Sequence, residues 1–138
     1  MEKFDVIKKI LQENEFLKPK YYEILDIYSQ GNVEKASFSR RLHSLANSIA
    51  SQISDNQLPL QSLINILEQV EEYLVSFNDE GKQADVEIMF FETLLNTMSH
   101  ISEDEPRYRY ISLFQNNLGP ASEDLCKKNN EFWTQITH

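Results

Sequence analysis

The chain has little of what would hold a small fold together covalently or turn it sharply. It has one cysteine, Cys126, in 138 residues, which excludes an internal disulfide and points to a reducing compartment. Three glycines and four prolines leave few sites for tight reversals, and no Asn-Gly or Asp-Gly pair is present to close a two-residue hairpin. No segment alternates polar and apolar residues for long, so strands are not expected. No apolar run approaches the roughly 18 residues a membrane span needs. The start, Met1-Glu2-Lys3-Phe4-Asp5, lacks the basic flank and apolar run of a secretory signal. The expectation is one soluble cytoplasmic domain, 1–138. At 41% hydrophobic residues it has enough apolar side chains for a core, which argues against a disordered chain.

What is there is helical periodicity. Phe4, Ile7, Ile10 and Leu11 predict a first helix over about Glu2 to Glu13. Pro19 suits the opening turn of a second, carrying Tyr22, Ile24, Leu25 and Tyr28, and Gly31-Asn32 ends it. Phe38, Leu42, Leu45, Ala46, Ile49 and Ile53 make the cleanest stripe. After the polar loop 54–57, Pro59 opens a fourth helix to about Ser76, with Leu60, Leu63, Ile64, Leu67, Val70 and Leu74 on one face. A fifth is expected from about Lys82 to Ile101, with Ala84, Ile88, Phe91, Leu95 and Met98 as its central stripe. Pro106 opens a sixth through Tyr110, Ile111 and Phe114. After Leu118-Gly119-Pro120 a last helix follows, with Ser122 as its N-cap and Leu125, Phe132, Trp133 and Ile136 as its apolar contacts. The fold class is all-α: about seven helices in antiparallel pairs, closed as a bundle or stacked as a short solenoid.

Motifs that carry chemistry are scarce. His43, His100 and His138 have no ligand partner at helical spacing, so neither a zinc nor a carboxylate-iron site is indicated. Gly81 could be the sixth residue of a calcium loop, but Ser76 would then hold the first position, where Asp is wanted. Asn78, Glu80 and Glu87 at positions three, five and twelve do not rescue the match. Lys127 and Lys128 flank Cys126, yet no histidine lies near it in sequence, and a packing cysteine is the better reading. Arg107-Tyr108-Arg109-Tyr110 interleaves bases and aromatics as nucleic-acid surfaces do. Beside the Glu103–Glu105 run, ion pairing or stacking over tyrosine explains it better. The expectation is a non-enzyme without cofactor or metal.

The informative feature is charge. Between Glu68 and Glu105 lie eleven carboxylates and one base, Lys82, whereas residues 1–67 hold eight of each sign and residues 106–138 hold three acids and four bases. Acids before a helix start are favoured by the helix dipole, which gives part of the Glu103–Glu105 run a structural motive. Glu68 and Glu72, one turn apart on one helix face, repel each other. One reading is a solvated face that keeps the chain soluble. The other is a docking face for a basic protein, with Tyr73 and Phe77 as adjoining aromatic anchors. The candidate partner-binding residues are Glu68, Glu72, Asp79, Glu80, Asp85, Glu87, Glu103, Asp104 and Glu105. Phosphate repulsion disfavours direct nucleic-acid binding.

The run Phe90-Phe91-Glu92-Thr93-Leu94-Leu95-Asn96, within Asp85–Asn96, resembles the central helix of a family of small all-helical bacterial proteins. Leu118-Gly119-Pro120-Ala121-Ser122, with Asn130 and Phe132-Trp133 beyond it, resembles the C-terminal signature of the same family. The likeness covers roughly residues 60–136. The family is that of immunity proteins, which protect a bacterium from a toxin delivered by its neighbours in contact-dependent or polymorphic toxin systems. The resemblance implies a binding partner: a cognate toxin, often a nuclease with a basic cleft that an acidic face could occupy. It transfers no individual binding residue. The alternative function is a helical scaffold or regulatory adaptor for some other basic protein.

Overall fold

A computed structural model describes residues 5–77 and 79–137. Its described residues form eight helical rods and no strand. These are α1 (Asp5–Glu13), α2 (Lys18–Tyr28), α3 (Phe38–Ser54), α4 (Leu60–Ser76), α5 (80–98), α6 (Tyr108–Asn116), α7 (Pro120–Lys128) and α8 (Asn130–Thr137). Glu2, Phe4, Asn78 and His138 lie outside the described residues.

The breaks follow local chemistry. Pro19 sits in the first turn of α2, where its missing N–H costs nothing. At the far end Gln30 and Gly31 take positive φ angles of 55° and 83°, and the Gly31 N–H closes on the Asp26 carbonyl at 3.0 Å. Ser37 caps α3 by accepting a 3.2 Å hydrogen bond from the Arg40 N–H.

Helix α3 is the spine. It packs against α1, α2 and α5, and its buried set includes Ser44, Ala46, Ser48 and Ala50 beside Leu42, Leu45, Ile49 and Ile53. Small residues among large ones let more than one neighbour approach closely. The buried Ser48 hydroxyl is satisfied by donating to the Leu17 carbonyl at 2.8 Å. Helix α4 packs against α1, α6 and α7, while α8 lies against α5 and α7. Contacts between α1 and α4, and between α5 and α8, skip over intervening elements, whereas solenoid repeats touch only their neighbours. The chain is therefore a closed helical pack.

Several expectations need correction. The last helix is two, because Asn129 leaves the helical region at φ −90°, ψ 69°. Ser122 is buried inside α7, and the residue at the N-cap is Gly119. Within α5, Glu80–Asp85 and Glu92–Met98 are α-helical, but Val86–Phe91 is π-helical. The wider turn re-phases the rod. Val86, Phe90, Phe91, Leu94, Leu95 and Met98 are buried, while Ala84 is exposed and Ile88 is half exposed at 50%. The rod ends at Met98, short of Ile101. On α4, Leu60 likewise faces outward and Ile66 takes the core position.

Candidate functional site

The acidic stretch does two kinds of work, and the partners of each carboxylate separate them. Glu71 reaches from α4 to the start of α7, where its two oxygens accept hydrogen bonds from the backbone N–H groups of Ala121 (3.1 Å) and Ser122 (2.8 Å). Those donors have no intrahelical partner, and the helix dipole favours an anion there. Asp79 accepts from the Lys82 N–H at 3.0 Å and caps α5. Lys82 in turn lies 4.6 Å over the Phe77 ring. Glu105 accepts from the Ser102 N–H at 3.1 Å and pairs with Arg107. The Arg107 hydrogen bond, more than the Ser102 N–H, holds the Glu105 carboxyl below its ordinary value. Arg107 also donates to the Ser54 carbonyl at 3.1 Å, and Arg109 lies 4.5 Å over the Tyr110 ring. The basic-aromatic run is thus spent on the fold.

The remaining acids, Glu68, Glu72, Glu80, Asp85, Glu87, Glu92, Glu103 and Asp104, form no ion pair among the described residues. They fall in three places. Glu68 and Glu72 line the exposed face of α4, which continues to Val75, 69% exposed. Glu80 and Glu92 lie on the exposed line of α5, with Asp85 and Glu87 half-buried at its flanks. Glu103 and Asp104 sit in the loop beyond the other end of α5. At roughly 1.5 Å per helical residue, that loop lies on the order of 28 Å from Asp79 and Glu80. The nine candidate residues therefore do not form one patch: Asp79 and Glu105 hold turns, and Glu103 and Asp104 stand apart from the rest.

The outward line of α5 reads Glu80, Ala84, Ile88, Glu92, all exposed at four-residue steps. An apolar centre flanked by unpaired carboxylates has the layout of an interface, with an anchor inside and a polar rim outside. Ala84 and Ile88 were missed because a regular α-period puts them in the core. A signal was present: Val86-Glu87-Ile88-Met89-Phe90-Phe91 holds five apolar side chains in six positions, more than one stripe of an α-helix can bury.

Tyr73 is not a surface anchor. It is 1% exposed and packs between Phe38 and Phe77, with ring centroids 5.6 and 4.9 Å away. Its hydroxyl has no hydrogen-bond partner among the described residues. Burial, with the carboxylates of Asp85 and Asp79 adding to it, pushes its pKa up to about 12. Cys126 is buried and its thiol is pushed far up by desolvation, with Glu123 adding to it. It is a packing residue. His43 stands edge-on to Tyr28, ring centroids 5.2 Å apart. Among the described residues no three His, Cys, Asp or Glu side chains are grouped so as to hold a metal ion. No helix of the described residues is long and apolar enough to cross a membrane.

Comparison with known protein families, with curated proteins and with solved structures finds no match to this chain.

Proposed function

We propose that the chain is a non-catalytic binding domain that docks a basic protein on the outer face of α5, with the Glu68–Glu72 face of α4 adding to the attractive field. Within that class the reading is immunity: occlusion of a cognate bacterial toxin, a nuclease with a cationic cleft, in the cell that makes both. The observation that carries it is the exposed Ala84–Ile88 centre flanked by Glu80, Asp85, Glu87 and Glu92, which form no ion pair among the described residues. A concentration of like-signed carboxylates attracts a cationic partner and speeds association by roughly 10–10³, the more so at low salt. An exposed isoleucine at their centre supplies desolvation that charge alone does not.

The test is co-expression with the product of the neighbouring gene, scoring rescue of growth and isolation of a complex. Ile88→Asp should weaken the complex by roughly thirtyfold, the effect of a hot-spot loss near 2 kcal/mol. Reversal of Glu68, Glu72, Asp85 and Glu87 to lysine should slow association and flatten its dependence on salt. The pair Glu103→Lys and Asp104→Lys, in the loop beyond the far end of α5, should bind as the parent does. A complex that survives the first two changes and is lost with the third overturns the proposal.

A further inference from the structure

Helix α2 is apolar on two sides, and only one of them meets the core. Tyr21 and Leu25 are buried. On the outer side Ile24 is half-buried and Ile27 is 67% exposed. Beside them a shallow groove of about 360 Å³ opens over α3, between α2 and the end of α5. Lys20 and Ile24 of α2, Asn47, Ala50 and Ser51 of α3, and Thr97 of α5 line it. The small side chains of α3 leave it open. The charges of α2 also run against its own dipole. Lys18 and Lys20 stand in its first turn and Glu23 and Asp26 follow, with no acid at the start and no base at the end, the reverse of what the helix favours. Lys20 and Glu23 meet at 4.0 Å, but both side chains are exposed, at 47% and 64%, and such a pair adds little.

A projecting isoleucine, a groove one turn away and a reversed charge order on one helix are complementary to themselves. We propose that the chain forms a twofold dimer through α2. Two α2 helices laid antiparallel about an axis between Glu23 and Ile24 set residue 27 of each level with residue 20 of the other. Each Ile27 then enters the other copy's groove beside Lys20 and Ile24, reciprocally, as an isologous contact requires. The stem of Lys20 covers that isoleucine, and its ammonium lies about one turn from the other copy's Glu23. The basic start of one helix faces the acidic end of the other, which turns the unfavourable charge order into an attraction. Residues 1–67 hold eight acids and eight bases, so two chains of −9 approach most easily on this side, where their acidic segments are not opposed. Eleven residues at roughly 1.5 Å each give a seam of about 16 Å. That is too short for the roughly 800 Å² per partner of a standard interface, so the dimer is a transient one with Kd on the order of 100 µM. The outward line of α5 takes no part in it, and neither inference rests on the other.

The experiment follows the full chain by sedimentation equilibrium from about 10 µM to about 1 mM, with backbone amide shifts on dilution. The mass should rise from that of one chain toward twice it, and the shifts should gather on α2 and on the groove residues Asn47, Ser51 and Thr97. Ile27→Asp, at an exposed position that keeps the fold, should lower self-affinity about thirtyfold. Lys20→Glu and Glu23→Lys each set like charges across the axis, and each should weaken the dimer about tenfold. Mixed in equal amounts, those two variants should associate with one another, because each presents the charge the other lacks. A chain that stays monomeric to about 1 mM, one that dimerises as well with Ile27→Asp, or a mixture no tighter than its components overturns the proposal.

Discussion

The sharpest test of the packing concerns Glu71 and Gly119. Gly119 has φ −77° and ψ 170°, a conformation open to any residue, so its backbone does not require glycine. Space does. A Cβ built there would stand 2.2, 2.3 and 2.6 Å from three atoms of the Glu71 side chain, and real contacts of that length do not occur. Gly119→Ala must expel the carboxylate from its two N–H donors. Charge-assisted hydrogen bonds of this kind contribute roughly 1.5–3 kcal/mol together with the dipole interaction. Glu71→Ala should destabilise by the same order, because it leaves the N–H of the buried Ser122 without its acceptor. In the Glu71→Ala background, however, Gly119→Ala is freed of those three contacts. It should then be neutral, or stabilise by about 0.4–1 kcal/mol by restricting the unfolded chain. A double-mutant cycle by urea denaturation should thus return a coupling of about 1.5–3 kcal/mol. Additivity within about 0.5 kcal/mol would refute the capping role of Glu71 and the steric reason for Gly119.

Three further outcomes follow from individual side chains. Val86→Ala should destabilise by about 1–3 kcal/mol, while Ile88→Ala should stay within about 0.5 kcal/mol; a regular α-helix through this stretch would reverse the order in denaturant melts. Tyr73→Phe removes a buried hydroxyl that lacks a partner among the described residues, so stability should be unchanged or higher, and a loss above about 1 kcal/mol would show that the hydroxyl is satisfied. The Glu105 carboxyl is depressed in the folded state by Arg107, so its contribution is present above the unfolded value near 4.5 and is lost as pH falls through the folded value. Glu105→Gln should therefore flatten the acid limb of the stability–pH curve below about pH 4.5 and leave the neutral region parallel to the parent.

Sequence periodicity conveyed what is local. The α3 stripe from Phe38 to Ile53 obeys a strict α-period and lies in the core as expected. The interruptions at Gly31, Pro59 and Gly119-Pro120 mark ends because each removes a donor, takes a positive φ or opens space. What periodicity could not convey is long-range. The role of Glu71 depends on a helix start 50 residues away, and nothing near it in sequence separates it from Glu72, which faces solvent. Tyr73 looked amphipathic beside its acidic neighbours, but Phe38, 35 residues earlier, claims its ring. The π turn was hidden for a related reason. Hydrophobic content shows that Val86–Phe91 must be largely buried, and only the packing of α3 and α7 against it decides which apolar residue is left outside.

That leftover residue gives the charge map its meaning. A helix pair selected for stability alone would set lysines four residues from Glu68 and Glu80; instead those positions hold Glu72 and Ala84. The one base of the stretch, Lys82, is turned onto Phe77 and forms no ion pair among the described residues. Meanwhile three acids that the fold does use, Glu71, Asp79 and Glu105, are each satisfied by backbone N–H groups. The chain thus has the means to satisfy carboxylates and applies them selectively, leaving bare those beside an outward isoleucine. On the proposed reading, a cationic surface docking there buries the isoleucine and supplies the missing charge in the same step.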